Sequence, residues 1–181
     1  MKFHLTAQQL SFYADHGYIG FENSPVDLLS VKKEVDAHKA TTHRDLWRQS
    51  PSLLNTITRK LGPIALQLSR RKTLYLASDD YIESTSAWDT SCAVQTQMSF
   101  QGLACVVCLL FDGKSPCFFM APSSWPSMMP HWPKDPSECY VIAYGDTTAR
   151  YVINPKDPHH HWLKKLGFGY GDNLHKNPII L

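Results

Sequence analysis

An α+β domain with a β-rich core is the fold class the sequence predicts, and three observations predict it. Residues 1–63 carry apolar side chains at helical spacing. Residues 73–153 carry short apolar runs of the kind that form strands. Twelve prolines and nine glycines favour short strands and tight turns over a helical bundle. At 181 residues the chain fits one domain with a sizeable core. Its parts are a mostly helical 1–63, a β-rich 73–153, and a C-terminal helix and tail over 154–181.

Thr6 can cap a helix over 7–16, whose apolar positions Leu10, Tyr13 and Ala14 recur at three and four residues. Gly17 supplies its stop, and Tyr18-Ile19-Gly20-Phe21 reads as a strand. Ser24-Pro25 opens a second helix to about His38, with Leu28, Leu29, Val31 and Val35 on its inner side. A third helix runs from Ser50-Pro51 to Leu61 and ends at Gly62-Pro63. Thr73-Leu74-Tyr75-Leu76 is a strand. One long strand or two lie between Gln95 and Phe111, and Cys117-Phe118-Phe119-Met120 is a short one. The four prolines between Ser123 and Ser137 make that segment an irregular loop. Residues 139–144 and 149–153 read as strands around a turn at Gly145-Asp146. A last helix starts near Pro158 and stops at Gly167.

A net charge of +2 gives no nucleic-acid footprint, so nucleic acid is disfavoured as a partner. Five cysteines without framework spacing read as reduced thiols and a cytoplasmic location. No apolar run approaches the roughly 20 residues of a membrane helix, so no membrane partner is expected. A small-molecule ligand is allowed, and the oligomeric state is open. Cys105 and Cys108 fall on one strand, where positions three apart face opposite ways, so buried structural thiols fit better than a metal knuckle. His159-His160-His161 sits at a helix start with two rings expected in solvent. Arg70-Arg71-Lys72, with Arg59 and Lys60 upstream, is the densest basic cluster and reads as a solvated helix end. Asp79, Asp80 and Glu83 read as a solvated acidic loop, with Glu83 kept as a speculative oxygen ligand. Tyr81, Trp88, Trp125 and Trp132 could stack on a planar ligand or seal a site that no longer binds one.

The opening Leu5-Thr6-x-x-Gln9-x-x-Phe12-x-x-x-x-Gly17-Tyr18, the helix leading to Leu61-Gly62-Pro63, the strand 103–113 and the strand Tyr140-Val141-Ile142-Ala143-Tyr144-Gly145 occur in the order found in one family. The chain resembles the non-heme iron(II)/2-oxoglutarate-dependent dioxygenases, nearest the phytanoyl-CoA-hydroxylase-like branch. The resemblance implies a double-stranded β-helix, a jelly roll with N-terminal helices packed on one side. It implies hydroxylation of a small substrate coupled to 2-oxoglutarate decarboxylation, with Fe(II) and 2-oxoglutarate as cofactors if the chain is active. In that family, iron is held by two histidines and one carboxylate. Ser86-Ala87-Trp88-Asp89-Thr90 resembles the first ligand motif, His-x-Asp, with Ala87 where the histidine belongs. Asp89 then matches the metal carboxylate. His131 is the histidine available for the later ligand, although Trp125 also aligns there. Arg150 matches the arginine that pairs with the far carboxylate of 2-oxoglutarate. The readings that compete are a turn aspartate, a loop histidine and a solvent-facing strand arginine. With the triad incomplete, a non-catalytic or atypical dioxygenase-like protein is expected. The alternative is a divalent-cation-dependent regulatory or DNA- or protein-binding module that uses the barrel as scaffold.

Overall fold

The computed structural model describes residues 4–85, 89, 91–111, 117–126 and 137–181. It combines N-terminal helices with one curled sheet of six strands, each neighbouring pair antiparallel. The strands are β1 (Tyr18–Phe21), β2 (Leu74–Ile82), β3 (Phe100–Leu110), β4 (Cys117–Met120), β5 (Cys139–Tyr151) and β6 (Ile179–Ile180). Their order across the sheet is β1-β4-β3-β5-β2-β6. The α+β class and the placement of helices before strands therefore match the expectation. No helix among the described residues is long and apolar enough to cross a membrane.

Helix α1 (Ala7–His16) starts at Thr6, whose hydroxyl accepts the Gln9 amide while the Gln9 side chain accepts the Thr6 amide. This reciprocal cap and the left-handed Gly17 fix both ends as the sequence indicates. Helix α2 (Leu28–His38) begins later than Ser24-Pro25, because Asp27 accepts the amides of Leu29 and Ser30 and takes the capping position. Val31 and Val35 are buried as expected, but Leu29 faces solvent.

The third helix does not end at Gly62-Pro63. Helix α3 (Pro51–Asn55) runs into a π turn (Thr56–Leu61) and on into α4 (Gly62–Ser69). The Gly62 amide bonds back to the Ile57 carbonyl, five residues earlier. Tyr144 donates its hydroxyl to the same carbonyl at 2.8 Å. Pro63 has no amide to give, and the widened turn absorbs the missing bond that a regular helix would have lost.

β2 is longer than the four residues its opening suggests, and β5 is one strand rather than two. The expected turn at Gly145-Asp146 is a bulge in β5: Gly145 stands opposite Leu103, but Arg150 stands opposite Gln101. Gly102 has a φ of +72°, and a side chain there would meet the Ala149 backbone at 2.9–3.0 Å. Such bulges bend the strand and curl the sheet. The last predicted helix is a short 3₁₀ turn (Trp162–Leu166) stopped by left-handed Gly167.

Two apolar clusters use the two faces of the sheet. Leu74, Leu76, Cys105, Val107, Leu109 and Tyr144 pack against the helices. Ala77, Val106, Cys108, Leu110, Val141 and Ala143 line the other face. Cys105 and Cys108 thus point to opposite faces, as strand alternation requires.

Candidate functional site

On the sheet face turned away from the helices, most of the surface is filled by apolar side chains. Phe118 and Met120 of β4 join the β3 and β5 side chains, and Met98, Leu163, Phe168 and Leu174 pack over them. All are buried. At one end the chemistry changes. After the bulge at Ala77, Ser78 stands opposite Ala143 and Asp80 opposite Val141. Asp80 therefore belongs to this face, and Asp79 points to the helices.

Residues 43–45 are held along β2. The Tyr81 amide donates to the His43 carbonyl at 2.7 Å, and the Asp45 amide donates to the Asp79 carbonyl at 2.9 Å. This places the Arg44 guanidinium against Asp80 in a two-point pair, Nε to Oδ1 at 2.6 Å and Nη2 to Oδ2 at 3.0 Å. Nη1 reaches Asp157 Oδ2 at 3.0 Å and the His159 carbonyl at 3.2 Å. Asp157 also accepts the amides of Ser99 and His159. All three charged side chains are buried.

Two carboxylates share one cation, and their environments split them. Burial pushes Asp80 up to about 6, against the pull of the Arg44 charge and its hydrogen bonds. Burial also acts on Asp157. There the Arg44 charge and hydrogen bond, with the His159 amide, outweigh it and hold the carboxyl below its ordinary range. Arg44 keeps its proton at any accessible pH.

Asp79 organises the opposite side. It accepts the Leu46 amide at 2.7 Å, the Trp47 amide at 3.0 Å and the Tyr140 hydroxyl. Burial, then the nearby Asp45 charge, push its carboxyl well up. Asp45 sits in the left-handed region with φ 56°. It accepts Trp47 Nε1, Arg48 Nε and Trp162 Nε1.

A cavity of about 340 Å³ opens beside the Arg44 triad. His43, Gln97, Met98 and His159 stand around it, with Glu83 on the rim. His43 Nε2 is 3.9 Å from Glu83 Oε1. Burial, reinforced by the Arg44 charge, lowers the His159 pKa, so its ring is neutral at neutral pH.

Of the residues singled out from the sequence, Asp80, Tyr81 and Glu83 line this cavity, whereas Asp89 and Arg150 do not. Ala87 and His131 lie outside the described residues, as do Trp88 and Trp132. Asp89 is exposed in a turn, where its carboxylate accepts the Ser91 amide, the Ser91 hydroxyl and the Cys92 thiol. Those hydrogen bonds, Cys92 first, hold its pKa low. Arg150 is also exposed, between the buried Ala149 and Tyr151, and donates to the Gly171 carbonyl at 2.8 Å. No hydrogen bond or ion pair links Asp89 to Arg150 among the described residues. Tyr81 is buried against the helices, bonded to Lys39 and Glu138, while Trp125 is half exposed. Asp79 and Asp80 are buried strand residues rather than a solvated loop.

Among the described residues no group of three histidine, cysteine or carboxylate side chains is placed to hold a metal ion. The arginine that does reach this face, Arg44, already spends four N–H contacts on Asp80, Asp157 and the His159 carbonyl. Sequence reasoning missed Arg44 and Asp157, and it read Asp80 as part of a solvated loop. An Asp-Asp pair following Thr73-Leu74-Tyr75-Leu76 was the available signal, since a longer strand would have turned one carboxylate to each face.

No protein-family model matches the sequence, and no curated protein matches it. Solved structures do. CT296 from Chlamydia trachomatis aligns over 81% of this chain and 98% of its own, at 18% identity and a TM-score of 0.62. The non-heme alpha ketoglutarate dependent carbocyclase SnoK from nogalamycin biosynthesis aligns over 98% of this chain and 97% of its own, at 12% identity and a TM-score of 0.64. The epimerase SnoN of the same biosynthesis covers 80% of this chain and 84% of its own, at 13% identity and a TM-score of 0.54. SnoN was also solved in complex with Fe3+, alpha ketoglutarate and nogalamycin RO. At these identities the likeness is one of fold.

Proposed function

We propose that this chain is a non-catalytic, ligand- or partner-binding relative of the iron(II)/2-oxoglutarate dioxygenases, built on a jelly roll whose metal site has degenerated. The fold likeness to SnoK and SnoN supports the ancestry. The observation that carries the loss of chemistry is the filling of the sheet face away from the helices. Apolar side chains occupy its centre, and a closed Arg44–Asp80–Asp157 triad occupies its end. An oxygenase needs open metal positions and a cation free to pair with 2-oxoglutarate. Asp89 and Arg150, the residues that the resemblance matches to those roles, are engaged elsewhere.

The test is direct. Purified chain, supplied with Fe(II), 2-oxoglutarate and air, should form no succinate beyond that formed by free iron. Calorimetry should show no stoichiometric iron binding. One iron per chain together with succinate formation would sink the reading.

A further inference from the structure

A second and larger cavity lies on the other side from the triad. A groove of about 1170 Å³ runs between the π turn with α4 and the outer strand β6. Leu54, Pro63 and Leu66 form its helix wall, and Ile179, Ile180 and Leu181 form its strand wall. Ile180 is buried under Gly62, where a side chain would meet it at 2.9 Å, so helix and strand are closely seated at the groove floor. Ile179 and Leu181 are 48% and 82% exposed. Arg59, Lys60 and His4 supply the charged and titratable rim, and no acidic side chain lines the groove. Among the described residues Arg59 makes no ion pair, and Lys60 makes none within 4 Å, although its charge reaches Asp27 on the neighbouring surface.

The backbone adds a direction. β6 is the last strand of the sheet. The Pro178 carbonyl accepts the Leu76 amide, and Ile180 stands opposite Leu74. In an antiparallel ladder, alternate residues turn their N–H and C=O the other way. Ile179, between the two, therefore offers both groups to the outer edge. An edge strand beneath a helix is the arrangement that takes an extended peptide as an added strand, with its side chains lying in the groove. The positive rim and the absence of acids select an acidic, apolar segment over a basic one.

We propose that this groove binds an extended acidic–apolar peptide segment of a partner protein, which adds as a strand to β6 and pairs its carboxylates with Arg59 and Lys60. The proposal is independent of whether the opposite face has lost its metal chemistry.

The probe is a synthetic peptide of about eight residues alternating glutamate and valine, titrated into the 15N-labelled full chain. Saturating amide shifts are expected at Ile179, Leu181 and Arg59. Exposed Arg59→Glu with Lys60→Glu should weaken binding at least about tenfold. Ile179→Pro, which removes the outward amide and leaves Ile180 facing β2, should weaken it as well. Methylation of alternate peptide amides should abolish it. A lysine–valine peptide should not saturate. The proposal is overturned if the lysine peptide binds as well as the acidic one, or if shifts fall elsewhere. No saturation at all also overturns it, as does binding of anionic phospholipid vesicles without the peptide. Amide spectra of each variant report whether the fold is kept.

Discussion

Asp79 and Asp80 are neighbours in β2, yet they bury their carboxylates on opposite sides of the sheet in opposite ways. Asp79, on the helix side, is held by dipoles: two backbone amides and the Tyr140 hydroxyl. Asp80, on the far side, is held by the full charge of Arg44. Burial raises both. The contrast shows how the strand's period of two gives each carboxylate its own partners, although the Asp80 charge still pushes Asp79 up. It also shows that the two sides carry different risks. Protonating Asp79 strands no ion, although its donors favour the charged form, whereas the buried Arg44 cation needs its counter-charge.

Removing the cation should therefore do the most damage. Arg44→Met leaves Asp80 and Asp157 buried without their counter-ion, and breaking such a pair costs about 3–5 kcal/mol. Urea denaturation should show a loss of that size. Adding Asp80→Asn and Asp157→Asn should restore much of it. A loss below about 1 kcal/mol would mean that water already solvates the triad.

Acid titration should separate the two faces next. Folded Asp80, pushed up to about 6, holds its proton more tightly than the unfolded chain does at about 3.9. Between these values the folded state binds more protons, so its contribution to stability falls as pH rises from about 4 to 6, by at most about 3 kcal/mol. Asp157 is held low and does the reverse: its contribution is present at neutral pH and lost as pH falls through its folded value. Asp80→Asn should make the first slope shallower, leaving the part that the raised Asp79 supplies, and should leave the second. An unchanged profile between pH 4 and 6 would contradict the raised Asp80. On the helix side, Tyr140→Phe deletes one neutral donor to Asp79. It should cost about 1–3 kcal/mol, less than Arg44→Met, with circular dichroism showing the sheet intact.

Local signals made one part of the molecule legible and long-range ones hid the other. Thr6, Gly17 and the 117–120 strand are decided by neighbours within a few residues, so their limits follow from the sequence. Gly62-Pro63 looked like a stop, because nothing local announces that Tyr144 will support the Ile57 carbonyl across the fold. Leu29 fits the helical spacing as well as Val31 does, but no partner stands opposite it. The turn expected at Gly145-Asp146 is a bulge because β3 pairs with β5 on both sides of it. The triad is the extreme case: Arg44, Asp80 and Asp157 are separated by 36 and 113 positions along the chain. No spacing rule connects them. The order of elements did carry the fold likeness that SnoK and CT296 share at 12% and 18% identity.

Asp89 completes the comparison as an aspartate with no burial to resist. Its carboxylate accepts three donors from Ser91 and Cys92 in a turn open to water. Asp89→Asn keeps an acceptor for that turn and removes only an exposed charge. The melting temperature should move by less than about 2 °C, far less than for any substitution at the triad. The same variant also bears on function. If Asp89 were a working metal ligand, replacing it would lower iron affinity, whereas a turn aspartate leaves iron binding as weak as in the parent chain. Titrating Fe(II) into both proteins under nitrogen distinguishes these outcomes. A parent that binds iron tightly and a variant that does not would return Asp89 to the metal site and reopen the catalytic reading.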